Sequence, residues 1–350
     1  MTAVPMRLDA DTFARAQADA VRRRKKVNAR RRLPLLPGLI FLVIVTQIPF
    51  VVTLVISFMN WNLMYPSEIK FGTLHNYFAV ATDPEMSAAI INTIVIVVST
   101  VVITLVLGTA LALLLNRKFH GRGVVRTLLI IPFLIMPMAA ALMWKHLLLN
   151  PVYGLFNGIL NSIGDLFGVT APQPDWVSME PMAAVIIALV WTWTPFMMLI
   201  TLAGLQSQDP EVIEAAEVDG ATGFQRFRYV TLPMLRQYLE LAIVLGVIYL
   251  LNTYDQVYTI TQGGPGTATT NLPYAIYITA FRGYDYGEAS AAGVIVVIIS
   301  TIIATFGMRL LTSLSATTPA PAKKKKRSRA KASADAPAVA PTEASGAAAR

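Results

Sequence analysis

The chain has 350 residues, 55% of them hydrophobic and only 14% charged, with no cysteine and a formal net charge of +9. A soluble domain carries about a quarter charged residues, so this composition excludes an ordinary soluble enzyme and points to a membrane protein. Without cysteine there is no disulfide framework, thiolate metal site or catalytic thiol, and His75, His120 and His146 form no metal-ligand spacing with one another.

The positive charge is concentrated. Fifteen of the 29 Lys and Arg lie in two runs, Arg22 to Arg32 and Lys323 to Lys331. Each run flanks an outermost apolar segment, where orientation signals and contacts with anionic lipid belong. That placement argues for membrane lipid as a partner and against nucleic acid.

In chain order, residues 1–34 form a basic segment whose first part reads as a short charged helix. Six apolar stretches then follow, near 35–58, 88–115, 125–147, 180–204, 238–260 and 290–312, each long enough to cross a bilayer, which takes about 20 helical residues. The first is too long for a signal-peptide core and lacks a small-residue cleavage site, so it is expected to persist as a span. The fold class is therefore all-α, a polytopic membrane protein with six transmembrane helices.

Between the spans, Leu155, Phe156, Ile159, Leu160, Ile163, Leu166 and Phe167 recur at three- and four-residue steps. They predict an amphipathic helix over 151–168 that lies along the interface or under a partner. Leu272 to Phe281, entered through Asn271 and Pro273, reads as a second non-spanning helix. Residues 316–350, rich in Ala, Pro, Ser and Lys, form a tail expected to be disordered.

Lys and Arg in the short loops set the orientation. Loop 59–87 has only Lys70 and loop 148–179 has neither residue, whereas 116–124 carries Arg117, Lys118 and Arg122 and 205–237 carries Arg226, Arg228 and Arg236. The first two loops should face outside, the last two inside, with both termini cytoplasmic.

Loop 205–237 holds the most informative run, Glu214-Ala215-Ala216-Glu217-Val218-Asp219-Gly220-Ala221, with Phe227 and Leu232-Pro233 following. Asp209-Pro210 supplies an N-cap and a first-turn proline, and Gly220 a helix stop. Thr222 with Gln225 makes a capping box for a second short helix, which Pro233 is expected to close. Asp219, Gly220 and Ala221 then form the bend between the two.

Glu-Ala-Ala, Asp-Gly-Ala and a later Leu-Pro together resemble the signature of permease subunits of bacterial ABC importers, over roughly residues 35–312. Thr261 to Pro265 resembles the Thr-x-Gly-Gly-Pro of the same family. The resemblance implies the type I importer permease fold, with a permease domain over 35–315 and 205–237 as its coupling loop. It also implies ABC ATPase subunits, a second permease subunit in a heterodimer and an extracytoplasmic solute-binding protein as partners. Trp144-Lys145-His146, Asn150-Pro151 with Tyr153-Gly154, and Thr270 to Tyr274 are most similar to maltose-type sugar permeases, and among these to sorbitol/mannitol (polyol) permeases, with other sugars, trehalose among them, and glycerol phosphate as the open alternatives. In that frame the chain is no enzyme: it has no phosphate-cradling Gly-x-x-x-x-Gly-Lys-Ser/Thr loop, needs no cofactor, and takes its energy from the partner ATPase.

Within the loop, small Ala215 and Ala216 would let a partner backbone approach. Glu214 offers a carboxylate to an Arg or Lys, and Phe227 an apolar anchor. For the solute, polar and aromatic residues inside spans are candidates by default. Asn252, Tyr254, Asp255 and Gln256 form the densest group, with Trp191, Thr192, Trp193 and Thr194 in the preceding span. Aromatic faces beside amide and carboxylate groups suit sugars and polyols. The competing class is an ion-coupled secondary transporter or channel, which would need paired intramembrane charges where Asp255 stands almost alone.

Overall fold

The computed structural model describes Pro34, residues 36–71 and residues 74–315. The basic segment before Pro34 and the tail 316–350 lie outside the described residues. The described residues form helices joined by loops, with one two-stranded antiparallel ribbon, β1 (Met59–Asn60) with β2 (Lys70–Phe71), in which Met59 pairs with Phe71.

The first helix, α1 (Leu36–Ile56), buries none of its side chains. Its ring of Leu, Ile, Val and Phe is exposed on every side, an arrangement stable only against hydrocarbon. After α2 (His75–Thr82), Asp83 caps α3 (Pro84–Asn116) by accepting the Glu85 N–H. The buried face of α3 alternates small and hydroxylated residues, among them Ala89, Thr93, Thr100, Thr104, Gly108 and Ala112. Two of its hydroxyls turn back onto the helix: Thr93 Oγ1 donates to the Ala89 carbonyl and Thr104 Oγ1 to the Thr100 carbonyl, each at 2.7 Å, so burial leaves them paired.

This small-residue face packs along α8 (Pro181–Gln206), the most extensive helix pair in the chain. At Gly108 an added Cβ would stand 2.7 Å from Met197 Cβ and 2.8 Å from the Met198 backbone nitrogen. The two backbones touch there because glycine has nothing to interpose. Around this contact Ala112, Leu115, Met198, Leu202 and Leu235 form a fully buried cluster.

The third apolar stretch is not one straight span. It divides into α4 (Arg122–Leu134) and α5 (Pro137–Met143), the latter extended by a π turn over Trp144–Leu148. The two parts are bent by 99°. Two prolines explain the break. Pro132 crowds the Leu128 carbonyl and removes a donor, and Pro137 drives Met136 out of the helical region, to ψ 131°.

The fifth stretch is also shorter than expected. Helix α11 (Leu232–Leu251) stops at Asn252, and residues 255–260 form a separate short helix, α12 (Asp255–Ile260), not the end of a span reaching 260. Among the described residues five helices are long and apolar enough to cross a membrane, or six if the bent pair α4–α5 counts as one. The last is α14 (Tyr286–Ser315), preceded by α13 (Leu272–Phe281), whose N-cap Asn271 accepts the Tyr274 N–H as its sequence implied.

The 151–168 stripe forms α6 (Leu155–Leu166), joined through a loop to the single turn α7 (Trp176–Met179). Asp175 caps α7; the Ser178 hydroxyl and the Val177 and Ser178 N–H groups all donate to its carboxylate, and the Ser178 hydroxyl foremost holds its pKa below the ordinary value.

Candidate functional site

The two helix breaks meet. Phe133, Ile135 and Pro137 from the α4–α5 junction face residues 252–256 across a cavity of about 190 Å³, closed on a third side by Thr192 and Trp193 of α8 and by Tyr249. Irregular backbone at membrane depth is tolerated only where protein buries it or it lines a cavity. Both conditions hold here. Asn271 Nδ2 donates to the Thr253 carbonyl, Asn252 Nδ2 to the Ile248 carbonyl at 2.8 Å, and Lys145 Nζ to the Thr259 carbonyl at 2.9 Å. The Asn252 bond caps the end of its own helix, while the Lys145 bond ties α12 to the π turn after α5 and the Asn271 bond ties the break before α12 to the start of α13. The loop that follows is held in turn by Asn92, which donates to the carbonyls of Thr267 and Thr270, and by Thr93, whose hydroxyl accepts the Leu272 N–H. Asn92 and Thr93 therefore work as packing brackets.

Of the residues singled out for the solute, the structure brings Trp193, Asn252, Tyr254 and Asp255 into one cavity wall, with Thr192 and Gln256. Asp255 is the only charged residue there. Trp191 is not among them. It turns away to meet Trp144 edge to face at 6.1 Å, inside the main hydrophobic cluster.

Sequence reasoning missed Phe133 and Tyr249, which complete the aromatic side of the cavity: Phe133 lies 5.7 Å and Tyr249 5.6 Å from Trp193, centroid to centroid. The signal was present in the closely spaced Pro132 and Pro137, which mark a break rather than a continuous span. On the opposite side Tyr254 stacks with Tyr258 at 5.3 Å and meets Tyr277 at 5.2 Å. Flat apolar faces thus flank a polar floor of amide and carboxylate groups, a combination that holds a hydroxyl-rich molecule by its C–H faces and its hydroxyls together.

The motif loop forms α9 (Pro210–Val218) and α10 (Gly223–Arg226). Asp209 accepts the Glu211 N–H, Gly220 adopts φ +79°, and Thr222 and Gln225 make both bonds of the capping box. The base of the loop is fastened by Gln208 Nε2 to the Thr231 carbonyl at 3.1 Å and by Ser207 to the Tyr238 hydroxyl at 2.8 Å. Arg226 and Glu217 form an ion pair that joins α9 to α10.

Pro233 does not close α10. A π turn over Phe227–Thr231 leads straight into α11, with Pro233 in its first turn. The widened turn moves aside the Tyr229 carbonyl that the proline ring would otherwise crowd. The same turn leaves Phe227 half-buried, while Val218 and Phe224, which the motif did not single out, are 88% and 75% exposed. Glu214, Ala215, Asp219, Gly220 and Pro233 are exposed, and Ala216, Ala221 and Leu232 half-buried. The loop thus presents Glu214 among several exposed carboxylates, small residues, and the bare apolar side chains of Val218 and Phe224 on a frame fastened at its base.

Residues 104–316 match the family described as binding-protein-dependent transport system inner membrane component. The chain is 38% identical to a probable ABC transporter permease of Sinorhizobium fredii, over 80% of this chain and 90% of that protein. It is 35% identical to the trehalose/maltose transport system permease MalF of Thermococcus litoralis, covering 76% and 88%. It is 32% identical to the sulfoquinovosyl glycerol transport system permease SmoG of Agrobacterium fabrum, covering 80% and 89%. In fold it resembles a chain of a bacterial ABC transporter involved in the import of the acidic polysaccharide alginate, with a TM-score of 0.70 at 21% identity, over 84% of this chain and 99% of that one. The bent and broken spans around a cavity, the two-helix loop and these likenesses agree: the chain belongs to the binding-protein-dependent inner membrane components, as a multi-pass permease subunit of an ABC importer with the type I fold.

Proposed function

We propose that residues 35–315 carry a sugar or polyol, of sorbitol or mannitol type, through the 190 Å³ cavity at the junction of the two broken spans. The observation that carries this reading is the wall itself: Trp193, Tyr249 and Tyr254 beside Asn252 and Asp255. The trehalose/maltose and sulfoquinovosyl glycerol relatives support a carbohydrate more broadly. Small-molecule sites usually span about 300–1,000 Å³, so one chain supplies part of a site and a second, different permease subunit opposite it supplies the rest. A solute-binding protein delivers the solute from outside. The ATPase subunits drive the cycle through 205–237, where Glu214 meets a partner cation, Ala215 and Ala216 allow close approach, and Val218 and Phe224 enter an apolar cleft, with Phe227 supporting them from behind.

Asn252→Ala and Asp255→Ala should each lower uptake by about tenfold, the scale of one lost hydrogen bond to a charged or tightly held polar group. Assembly and basal ATPase activity should be retained. Competition by sorbitol, mannitol and trehalose in the same variants reads the solute preference. Normal uptake with an unchanged competition profile in both would place the solute elsewhere.

The orientation we infer puts both termini and 205–237 in the cytoplasm. Because the chain has no cysteine, exposed Ala268 and Phe224 can be probed singly without background. Ala268→Cys should react with an impermeant maleimide in intact cells, and Phe224→Cys only after the membrane is opened. Labelling of Phe224→Cys in sealed cells would reverse the orientation.

A further inference from the structure

A second cavity, of about 390 Å³, lies between α6, α7 and the beginning of α8. Phe156, Leu160 and Trp176 form its walls and Ala183 and Ala184 its floor, and Glu180 is its only charged lining residue. Its size falls within the range of about 300–1,000 Å³ typical of ligand sites.

The frame is built in advance by a buried asparagine. Asn157, 1% exposed, donates through Nδ2 to the carbonyls of Pro151 at 2.9 Å and Pro174 at 3.0 Å, and its Oδ1 accepts the Trp176 indole N–H at 2.8 Å. Trp176 and Phe156 then meet edge to face at 6.5 Å, and Phe156 meets Trp144 at 6.1 Å. With the Asn157 amide and the Trp176 indole N–H paired, the walls stand apart around an apolar space.

Two observations identify the occupant. Of the apolar lining residues, Ile159 and Ile187 are 47% and 46% exposed, and Ile187 belongs to the membrane-spanning helix α8. Exposed apolar lining on a bilayer-crossing helix makes hydrocarbon the medium that fits this edge of the cavity. Its electrostatics select the headgroup. From His146 to Gln225 the chain has no Lys or Arg, and exposed Glu180 makes no ion pair with another described residue. The lining offers no cation to a purely anionic headgroup, whereas an ammonium finds a carboxylate at the rim.

We propose that this cavity holds an acyl chain of a phosphatidylethanolamine whose ammonium group pairs with Glu180. The lipid wedges α6 against the start of α8 and fixes the height of the amphipathic helix in the interface.

The assembled importer, reconstituted in vesicles of phosphatidylethanolamine and phosphatidylglycerol in equal parts, provides the test. Phosphatidylethanolamine with a photoreactive acyl chain should crosslink to peptides within 155–160 and 176–187, at roughly ten times the yield of the phosphatidylglycerol analogue, the scale of one charge-assisted hydrogen bond. Glu180→Lys should reverse that headgroup preference, and Ala183→Phe, which fills the floor, should abolish the crosslinks at these peptides. Equal yields from the two lipids, a preference untouched by Glu180→Lys, or crosslinks confined to the outward face of α1 would each overturn the proposal. The wild-type crosslinking result stands on its own if Ala183→Phe fails to assemble.

Discussion

Replacing Gly220 by proline should abolish uptake while leaving the protein at its normal level in the membrane. Gly220 sits at φ +79° and its N–H donates to the Glu217 carbonyl at 3.1 Å. Proline fixes φ near −65° and has no N–H, so the turn between α9 and α10 cannot form. Glu214, Ala215 and Val218 are then aimed away from where the ATPase would receive them, and the Glu217–Arg226 pair loses its geometry. Nothing lies within 4 Å of a Cβ at this position, so the constraint is conformational and not steric. Gly220→Asn should accordingly retain most uptake, since asparagine tolerates left-handed backbone, whereas Gly220→Ala costs about 1–2 kcal/mol in that region and should fall between. Glu214→Lys should match the proline variant by a different route, because Glu214 is exposed and makes no ion pair with another described residue. Uptake assays alongside ATPase co-purification check both. Wild-type transport with normal ATPase retention in Gly220→Pro and Glu214→Lys would sink the coupling role of this loop.

Gly108→Leu should prevent accumulation of folded protein altogether. A Cβ there would already stand 2.7 Å from Met197 Cβ and 2.8 Å from the Met198 nitrogen, and backbone cannot swing aside as a flexible side chain can. The cost should exceed the roughly 1–3 kcal/mol of ordinary overpacking, because separating α3 from α8 opens the largest interface in the chain. Gly246→Ala provides the contrast. Its added Cβ would meet the terminal methyl of Met197 at 2.5 Å, and that methyl can rotate away, so the variant should fold. Detergent-solubilised yield and thermal unfolding of the two separate the cases. Equal yield and stability for Gly108→Leu and wild type would show that the helix pair is looser than its geometry.

The two-helix loop was legible almost residue by residue. Asp209, Gly220, Thr222 and Gln225 act through their own backbone or that of near neighbours, and such short-range chemistry is carried by adjacent residues. Phe227 was a less secure reading, because the aromatic that a loop exposes depends on helical phase. The π turn inserts one extra residue per turn and rotates Phe227 inward while Phe224 and Tyr229 stay out.

Trp191 and Trp193 part company for a similar geometric reason. Two residues apart on a helix of 3.6 residues per turn they stand about 200° apart, so they cannot share a wall, and only the position of α5 and α12 decides which of them lines the cavity. By itself the chain determined its bilayer-spanning segments, its caps and its turns, through hydrophobic runs and local hydrogen-bonding chemistry. The tertiary structure decided where the spans break and what meets at the breaks. Asn271 bonds to the Thr253 carbonyl and Lys145 to the Thr259 carbonyl, pairs 18 and 114 residues apart, and no local propensity encodes contacts of that range. The cavity exists because those distant partners satisfy backbone groups that an unbroken helix would have satisfied itself.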